Sequence, residues 1–202
     1  MLGVTSLCER ISYIKSSENP LSADVGMVEG ERFLWLFDVG NNPDVTAFLN
    51  GINRPKNAVL SHFHADHIGG LKNLDCNTVY LGARTLKYTG LGEVVHGDLY
   101  IDDGIKLHIF ELPSSHASGS IGLEVGDYAF LGDGTYATVK NDAVVYNSGL
   151  LQAEIAKLNS LSARYFLLSH NDRYAVPRDE VIADLERIYA RRKKNEAYIA
   201  AE

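Results

Sequence analysis

Asn57-Ala58-Val59-Leu60-Ser61-His62-Phe63-His64-Ala65-Asp66-His67-Ile68-Gly69-Gly70 is the stretch on which the reading of this chain turns. Asn57 to Leu60 is a short apolar run suited to a strand, and it stops at Ser61. Three histidines and an aspartate follow within six residues, in the loop expected at the strand's carboxyl end. Functional groups collect at that place in α/β folds, because the strand end is rigid and the loop open. Gly69-Gly70 lets the chain turn into a helix. His62 and His64 point the same way, since side chains of an extended segment alternate, and so can hold one metal ion together. Asp66 and His67 lie past the bend, aimed at a second. Imidazole nitrogen and carboxylate oxygen are ligands that zinc and its first-row neighbours accept. Random order gives this pattern in roughly one such chain in 2,000, so it outweighs the usual caution about short motifs.

Two ions need about seven protein ligands, so more must come from elsewhere in the chain. His116, Asp133 and His170 are the candidates, because each follows a predicted strand: Ile105 to Leu112, Tyr128 to Leu131, and Arg164 to Leu168. Asp38 sits near the end of a fourth such run, Arg32 to Val39. Five of the seven histidines are thereby used. His108 alternates with Lys106 on the polar side of its strand, and His96 precedes a Gly-Asp turn, so both read as structural or solvated. Two divalent ions are expected. Zinc is the default, and an all-nitrogen-and-oxygen site also suits manganese or iron.

Working outward, Asp24 to Val28 and Arg32 to Val39 flank a turn, and Pro43-Asp44 opens a short helix that Gly51 ends. Ile121 to Val125 and Tyr128 to Leu131 flank Gly126-Asp127 as a hairpin. Ser148 to Leu158 has helical spacing, and Pro177 starts a terminal helix with Val181, Ile182, Leu185, Ile188 and Tyr189 on one face. The stretch from Thr78 to Tyr100 gives no clear pattern. Without repeats or a dividing linker, residues 1–202 read as one domain. The net charge of −7 argues against a nucleic-acid partner. Arg191 to Lys194 reads as a solvated helix end. Two cysteines, Cys8 and Cys76, form no metal or disulfide pattern. No apolar run is long enough for a membrane, and the first residues lack a secretory signal, so a cytoplasmic location is the default expectation. The oligomeric state is left open.

Asp38, the HxHxDH run, Ser115-His116 with Gly119-Ser120, Leu131-Gly132-Asp133-Gly134 and Ser169-His170 resemble the five ordered motifs of the metallo-β-lactamase superfamily. The spacing is most similar to the glyoxalase II and lactonase branch. The resemblance covers nearly the whole chain and implies an α/β fold, a four-layer αββα sandwich with metals at one edge between the sheets. It implies that His62, His64 and His116 hold one ion, that Asp66, His67 and His170 hold the other, and that Asp133 bridges both. Asp38 would hold the ligand loop without touching metal. The activity implied is hydrolysis of an ester, thioester, lactone or phosphodiester bond in a small molecule by a metal-bridging hydroxide. Asp66 or Asp133 would take the proton of the attacking water, and Tyr136 would overhang the site as a donor to the oxyanion. Lys140 and Asn141 are candidates to contact an anionic substrate.

Several departures narrow the resemblance. No cysteine occupies a ligand position, as one does in the best-known zinc β-lactamases. His64 stands where the diiron relatives have glutamate, which lowers a redox reading. Only about 30 residues follow His170, short of the helical region with which glyoxalase II holds glutathione, and Pro113-Ser114-Ser115 replaces the glycine that usually precedes His116 there. The competing expectation is a metal-stabilised sensor or binding protein of the same fold with little turnover.

Overall fold

The computed structural model describes residues 3–201. Its first sheet has seven strands, Val4–Cys8, Ile11–Ile14, Val25–Glu29, Leu34–Phe37, Lys56–Leu60, Thr78–Leu81 and Glu93–Val94, lying side by side in chain order. Pairing is antiparallel up to Leu34–Phe37 and parallel from there on. The second sheet orders Asp98–Asp102, Lys106–Leu112, Ser120–Val125, Tyr128–Gly132, Tyr165–Leu168 and Ala175–Pro177, with one parallel pair, Tyr128–Gly132 beside Tyr165–Leu168.

Alternation along the strands sorts the core into three layers. Trp35, Phe37 and Val59 from the first sheet meet Leu107, Ile109, Ile121, Leu123, Phe130 and Leu167 from the second in an inter-sheet core. The intervening residues of the first sheet, Leu34, Leu36, Ala58 and Leu60, face outward onto Val45 and Leu49 of helix α1 (Pro43–Gly51). Those of the second sheet, Phe110, Leu112, Ala129, Leu131, Phe166 and Leu168, face α4 (Ser148–Ser160) and α5 (Arg178–Ala190). Helix, sheet, sheet, helix is the four-layer αββα arrangement that the resemblance implied. Among the described residues no helix is long and apolar enough to cross a membrane.

The sequence expectations for α1, the 121–131 hairpin, α4 and α5 hold at the level of elements. Asn42 caps α1 by accepting from the Asp44 N–H at 3.0 Å. Two details differ. The helical turn α2 (Ala65–Ile68) begins before Gly69-Gly70, so Asp66 and His67 stand on a helix rather than in the loop. The basic run does not end the structure: the chain continues to Tyr198–Ala200, which completes a small sheet with the hairpin Thr138–Lys140/Ala143–Asn147. The unread stretch holds Thr78–Leu81 and a third helix, α3 (Ala83–Thr89), that Gly90 ends in the left-handed conformation.

One residue on the core face of α4 breaks the pattern. Glu154 lies between Leu151 and Leu158 on the buried side, wholly inaccessible, and neither carboxylate oxygen has a hydrogen-bond partner among the described residues. Burial raises its pKa well above the ordinary 4.5. Below that pH the group is protonated folded and unfolded, and its ionisation costs nothing. Above it the unfolded chain ionises while the folded chain resists, so stability falls as pH rises. Glu154→Leu is expected to stabilise the fold by about 1–3 kcal/mol at pH 7. Thermal unfolding across pH checks this: the gain should shrink toward pH 4.5, and a pH-independent gain would contradict it.

Candidate metal centre

Parallel strands bring their carboxyl ends to one edge. Leu34–Phe37 and Lys56–Leu60 deliver Asp38 and His62 there, and Tyr128–Gly132 and Tyr165–Leu168 deliver Asp133 and His170. His116 follows Lys106–Leu112, which runs in the same direction as Tyr128–Gly132 because each is antiparallel to Ser120–Val125. The two sheets close tightly here. Gly132 adopts a φ of +57°, and a side chain on it would come within 2.9 Å of Ser61 Cβ.

All seven histidine and aspartate candidates come together at this edge. Ligand atoms of His62, His64 and His116 lie within 4.8 Å of one another, as do those of Asp66, His67, Asp133 and His170. In the first group His64 Nδ1 stands 2.8 Å from His62 Nε2 and 3.0 Å from His116 Nε2. Three ring nitrogens face one another, so their protons cannot all be accommodated. Burial, with His67, His64 and His116 nearby, pulls the His62 pKa far below the ordinary imidazole range. His64 is lowered too, by burial and by His116. Neutral rings with lone pairs aimed at a common point are what a metal ion requires.

In the second group His170 Nε2 is 2.9 Å from Asp66 Oδ2, and that bond raises the His170 pKa. Burial opposes ionisation of Asp66, but the His170 bond and the His67 charge hold its carboxyl down at about 2. His67 Nε2 lies 3.5 Å from Asp66 Oδ2 and 3.3 Å from Asp133 Oδ2. Asp133 Oδ2 is also 3.5 Å from His116 Nε2, so this one oxygen stands between the two groups. His67 Nε2 and Asp133 Oδ1 are buried without a hydrogen-bond partner among the described residues. Buried polar atoms are seldom left so; a cation at the second group would satisfy His67 Nε2, and Asp133 Oδ1 remains an acceptor. The residues fit two divalent ions.

The supporting network is equally specific. Asp38, fully buried, accepts from Ser61 N–H and Ser61 Oγ at 2.8 Å each and lies 2.7 Å from His67 Nδ1. Burial lowers the His67 pKa, but Asp38 and then Asp133 override it and push the ring up to about 10. With Nδ1 turned to Asp38, Nε2 is the nitrogen left for a metal. Sequence reasoning missed Asp24, whose carboxylate accepts from His170 N–H at 3.0 Å and Ser169 Oγ at 3.2 Å. It thereby fixes His170 at a φ of +57°. No local pattern marks it, since the contact spans 146 positions. Ser114, in the segment that departs from glyoxalase II, accepts from His116 N–H at 3.1 Å and donates to the Gly134 carbonyl at 2.6 Å.

Tyr136 stands near the site, its ring 6.4 Å from that of His116. Its only hydroxyl proton goes to the Ser169 carbonyl at 2.6 Å, and burial pushes its pKa up to about 12. In this arrangement the expected oxyanion donor is a strut between two ligand loops. Lys140 is engaged as well, 3.7 Å from the Tyr198 ring centroid. His108 lies outside the centre, between Asp98 at 2.7 Å and Glu124 at 2.9 Å, and His96 is exposed.

The family model described as the metallo-beta-lactamase superfamily matches residues 19–81, which include Asp38 and the whole HxHxDH run. A metallo-beta-lactamase from Pontibacter korlensis superposes with a TM-score of 0.67 at 15% identity, over 92% of this chain and 98% of that one. The chain has the metallo-β-lactamase fold. An inverting sec-alkylsulfatase from Pseudomonas sp. shares that fold with a TM-score of 0.68 at 14% identity, over 94% of this chain and 42% of its own. A mutant flavo di-iron protein from Thermotoga maritima does so with a TM-score of 0.71 at 11% identity, over 96% of this chain and 64% of its own. No curated protein matches the sequence. The family model matches about a third of the chain, and the structural neighbours, at identities this low, speak for the fold alone.

Proposed function

We propose that the chain is a dinuclear metal-dependent hydrolase of the glyoxalase II and lactonase type, acting on an ester, thioester, lactone or phosphodiester bond of a small molecule. The observation that carries this reading is the pair of ligand groups meeting at Asp133 Oδ2, 3.3 Å from His67 Nε2 and 3.5 Å from His116 Nε2. His62, His64 and His116 would hold one ion, Asp66, His67 and His170 the other, and Asp133 both, with zinc the default and manganese or iron also suited. Bound there, divalent metal would supply a water whose pKa is lowered toward 7 and a Lewis acid for the scissile oxygen.

The chain's own groups supply the rest. Asp133 Oδ1, without a hydrogen-bond partner among the described residues, is an acceptor for the proton of the attacking water. Asp66, ionised at neutral pH, is the other. Asp38 and Ser61 keep His67 and His62 in fixed orientation, so the site is organised before substrate arrives.

A panel of ester, thioester, lactone and phosphodiester substrates tests this with protein as purified, after chelation, and after addition of zinc, manganese or ferrous iron. Turnover lost on chelation and regained with metal is expected. Turnover indifferent to chelation would contradict it, and metal held without turnover on any class would favour the sensor.

A further inference from the structure

The residue between the first two histidines of the motif has no part in the ligand geometry, yet it is the root of a second assembly. The Phe63 ring lies 4.9 Å from the His64 ring, centroid to centroid, and stacks on Tyr88 of α3 at 4.7 Å with planes 13° apart. The Arg84 guanidinium sits alongside both, 5.5 Å from the Phe63 centroid and 5.8 Å from that of Tyr88. Tyr88 is 53% exposed. The backbone fixes this cluster against the site. A Cβ on Gly82, the residue before α3, would lie 1.9 Å from the Gly119 carbonyl in the loop that carries His116, and one on Gly119 would meet Arg84 Cβ at 3.1 Å. Helix α3 therefore abuts the His116 loop, with Arg84 and Tyr88 at the rim.

Arg84 is also uncommitted. The arginine ion pairs among the described residues involve Arg32, Arg54, Arg164, Arg173, Arg178 and Arg187. In a chain of net charge −7, a cation held beside the site by two rings, and paired with no carboxylate among the described residues, is placed to receive an anion. Guanidinium binds oxyanions through paired N–H donors, and the exposed Tyr88 face accepts an apolar or aromatic body.

We infer that Arg84, Phe63 and Tyr88 form the specificity subsite for an anionic substrate, one whose carboxylate, phosphate or sulfonate pairs with Arg84 while its apolar body lies across Tyr88. The inference rests on the hydrolase reading of the adjoining centre. It assigns that centre acidic substrates: esters, thioesters or lactones carrying a second, uncleaved anionic group.

The test compares naphthalene-2-sulfonate with its neutral counterpart 2-(methylsulfonyl)naphthalene, by saturation-transfer NMR titration on the metal-loaded full chain. The wild type is expected to bind the sulfonate about tenfold more tightly than the sulfone. Arg84→Ala should erase that preference with metal content unchanged, Arg84→Lys should keep part of it, and Tyr88→Ala should weaken both probes alike. A preference that survives in Arg84→Ala places the anion elsewhere and overturns the inference, as does a wild type that does not discriminate. Matched 4-nitrophenyl acetate and mono(4-nitrophenyl) glutarate extend the test to turnover. A subsite intact with neither these esters nor any thioester, lactone or phosphodiester of the panel hydrolysed sinks the hydrolase reading alone. Hydrolysis of both without an Arg84-dependent preference for the glutarate sinks the subsite alone.

Discussion

Asp133→Ala is expected to lower turnover by roughly 10³-fold or more, the scale of losing one preorganised electrostatic partner, and to release at least one metal ion. Its Oδ2 is the atom common to both ligand groups, 3.3 Å from His67 Nε2 and 3.5 Å from His116 Nε2. Removing it leaves two cations with less anionic charge between them, so affinity falls at both positions. The proton acceptor Oδ1 goes with it. Asp133→Asn separates the two losses, since the amide keeps one oxygen for coordination and forfeits the charge. Metal analysis beside steady-state kinetics reads both. Two ions retained in Asp133→Ala would mean that the ligand groups are independent and that Asp133 bridges nothing.

Asp38→Ala should be the most damaging change that touches no substrate. It strips the acceptor from Ser61 N–H, Ser61 Oγ and His67 Nδ1 in a wholly buried place. Breaking a buried charged network by deleting one partner costs about 3–5 kcal/mol. In a chain of this size that lowers the melting temperature by roughly 10 °C. Orientation of His67 is lost as well, and metal affinity should fall about 10–100-fold. Asp38→Asn keeps the shape and tolerates the φ of +58° that Asp38 adopts. It should fold, yet still bind metal about tenfold more weakly, because the amide no longer fixes the His67 tautomer. Calorimetric unfolding and competition with a chelator of known affinity provide the measurements. Unchanged metal affinity in both variants would show that Asp38 only supports the fold.

What the sequence disclosed, and what it hid, follows from the range of the interactions. His62, His64, Asp66 and His67 lie within six residues and sit where a strand ends, so local order revealed them. His116, Asp133 and His170 were legible because each also follows a strand, and parallel or co-directional strands end at one edge. The four layers were expected from the family resemblance rather than from the strands, since Leu34 to Phe37 read as one apolar run and only the fold turns Leu34 and Leu36 outward and Trp35 and Phe37 inward. Contacts formed only by the folded chain stayed hidden. Asp24 reaches His170 across 146 positions, and Tyr198–Ala200 pairs with Val145 to Asn147 from beyond the basic run. Helix α3, with Gly at both ends and only Thr85 fully buried, has too weak an apolar stripe to declare itself, and it carries the Arg84 and Tyr88 of the rim. Glu154 was masked differently: its neighbours supply the helical spacing, and nothing local shows that a carboxyl faces the core.

Seven side chains gather where strands end at one edge, and the proposed function requires them to hold two metal ions. Metal content per chain, by inductively coupled plasma mass spectrometry on protein purified without added metal and again after remetallation, tests it most directly. Close to two equivalents of zinc, manganese or iron, falling to about one or fewer in Asp133→Ala, is the result expected of a bridged dinuclear site. Less than about half an equivalent in the wild type, not restored by any of the three metals, would mean that the convergence of His62, His64, His116, Asp66, His67, Asp133 and His170 is not a metal site.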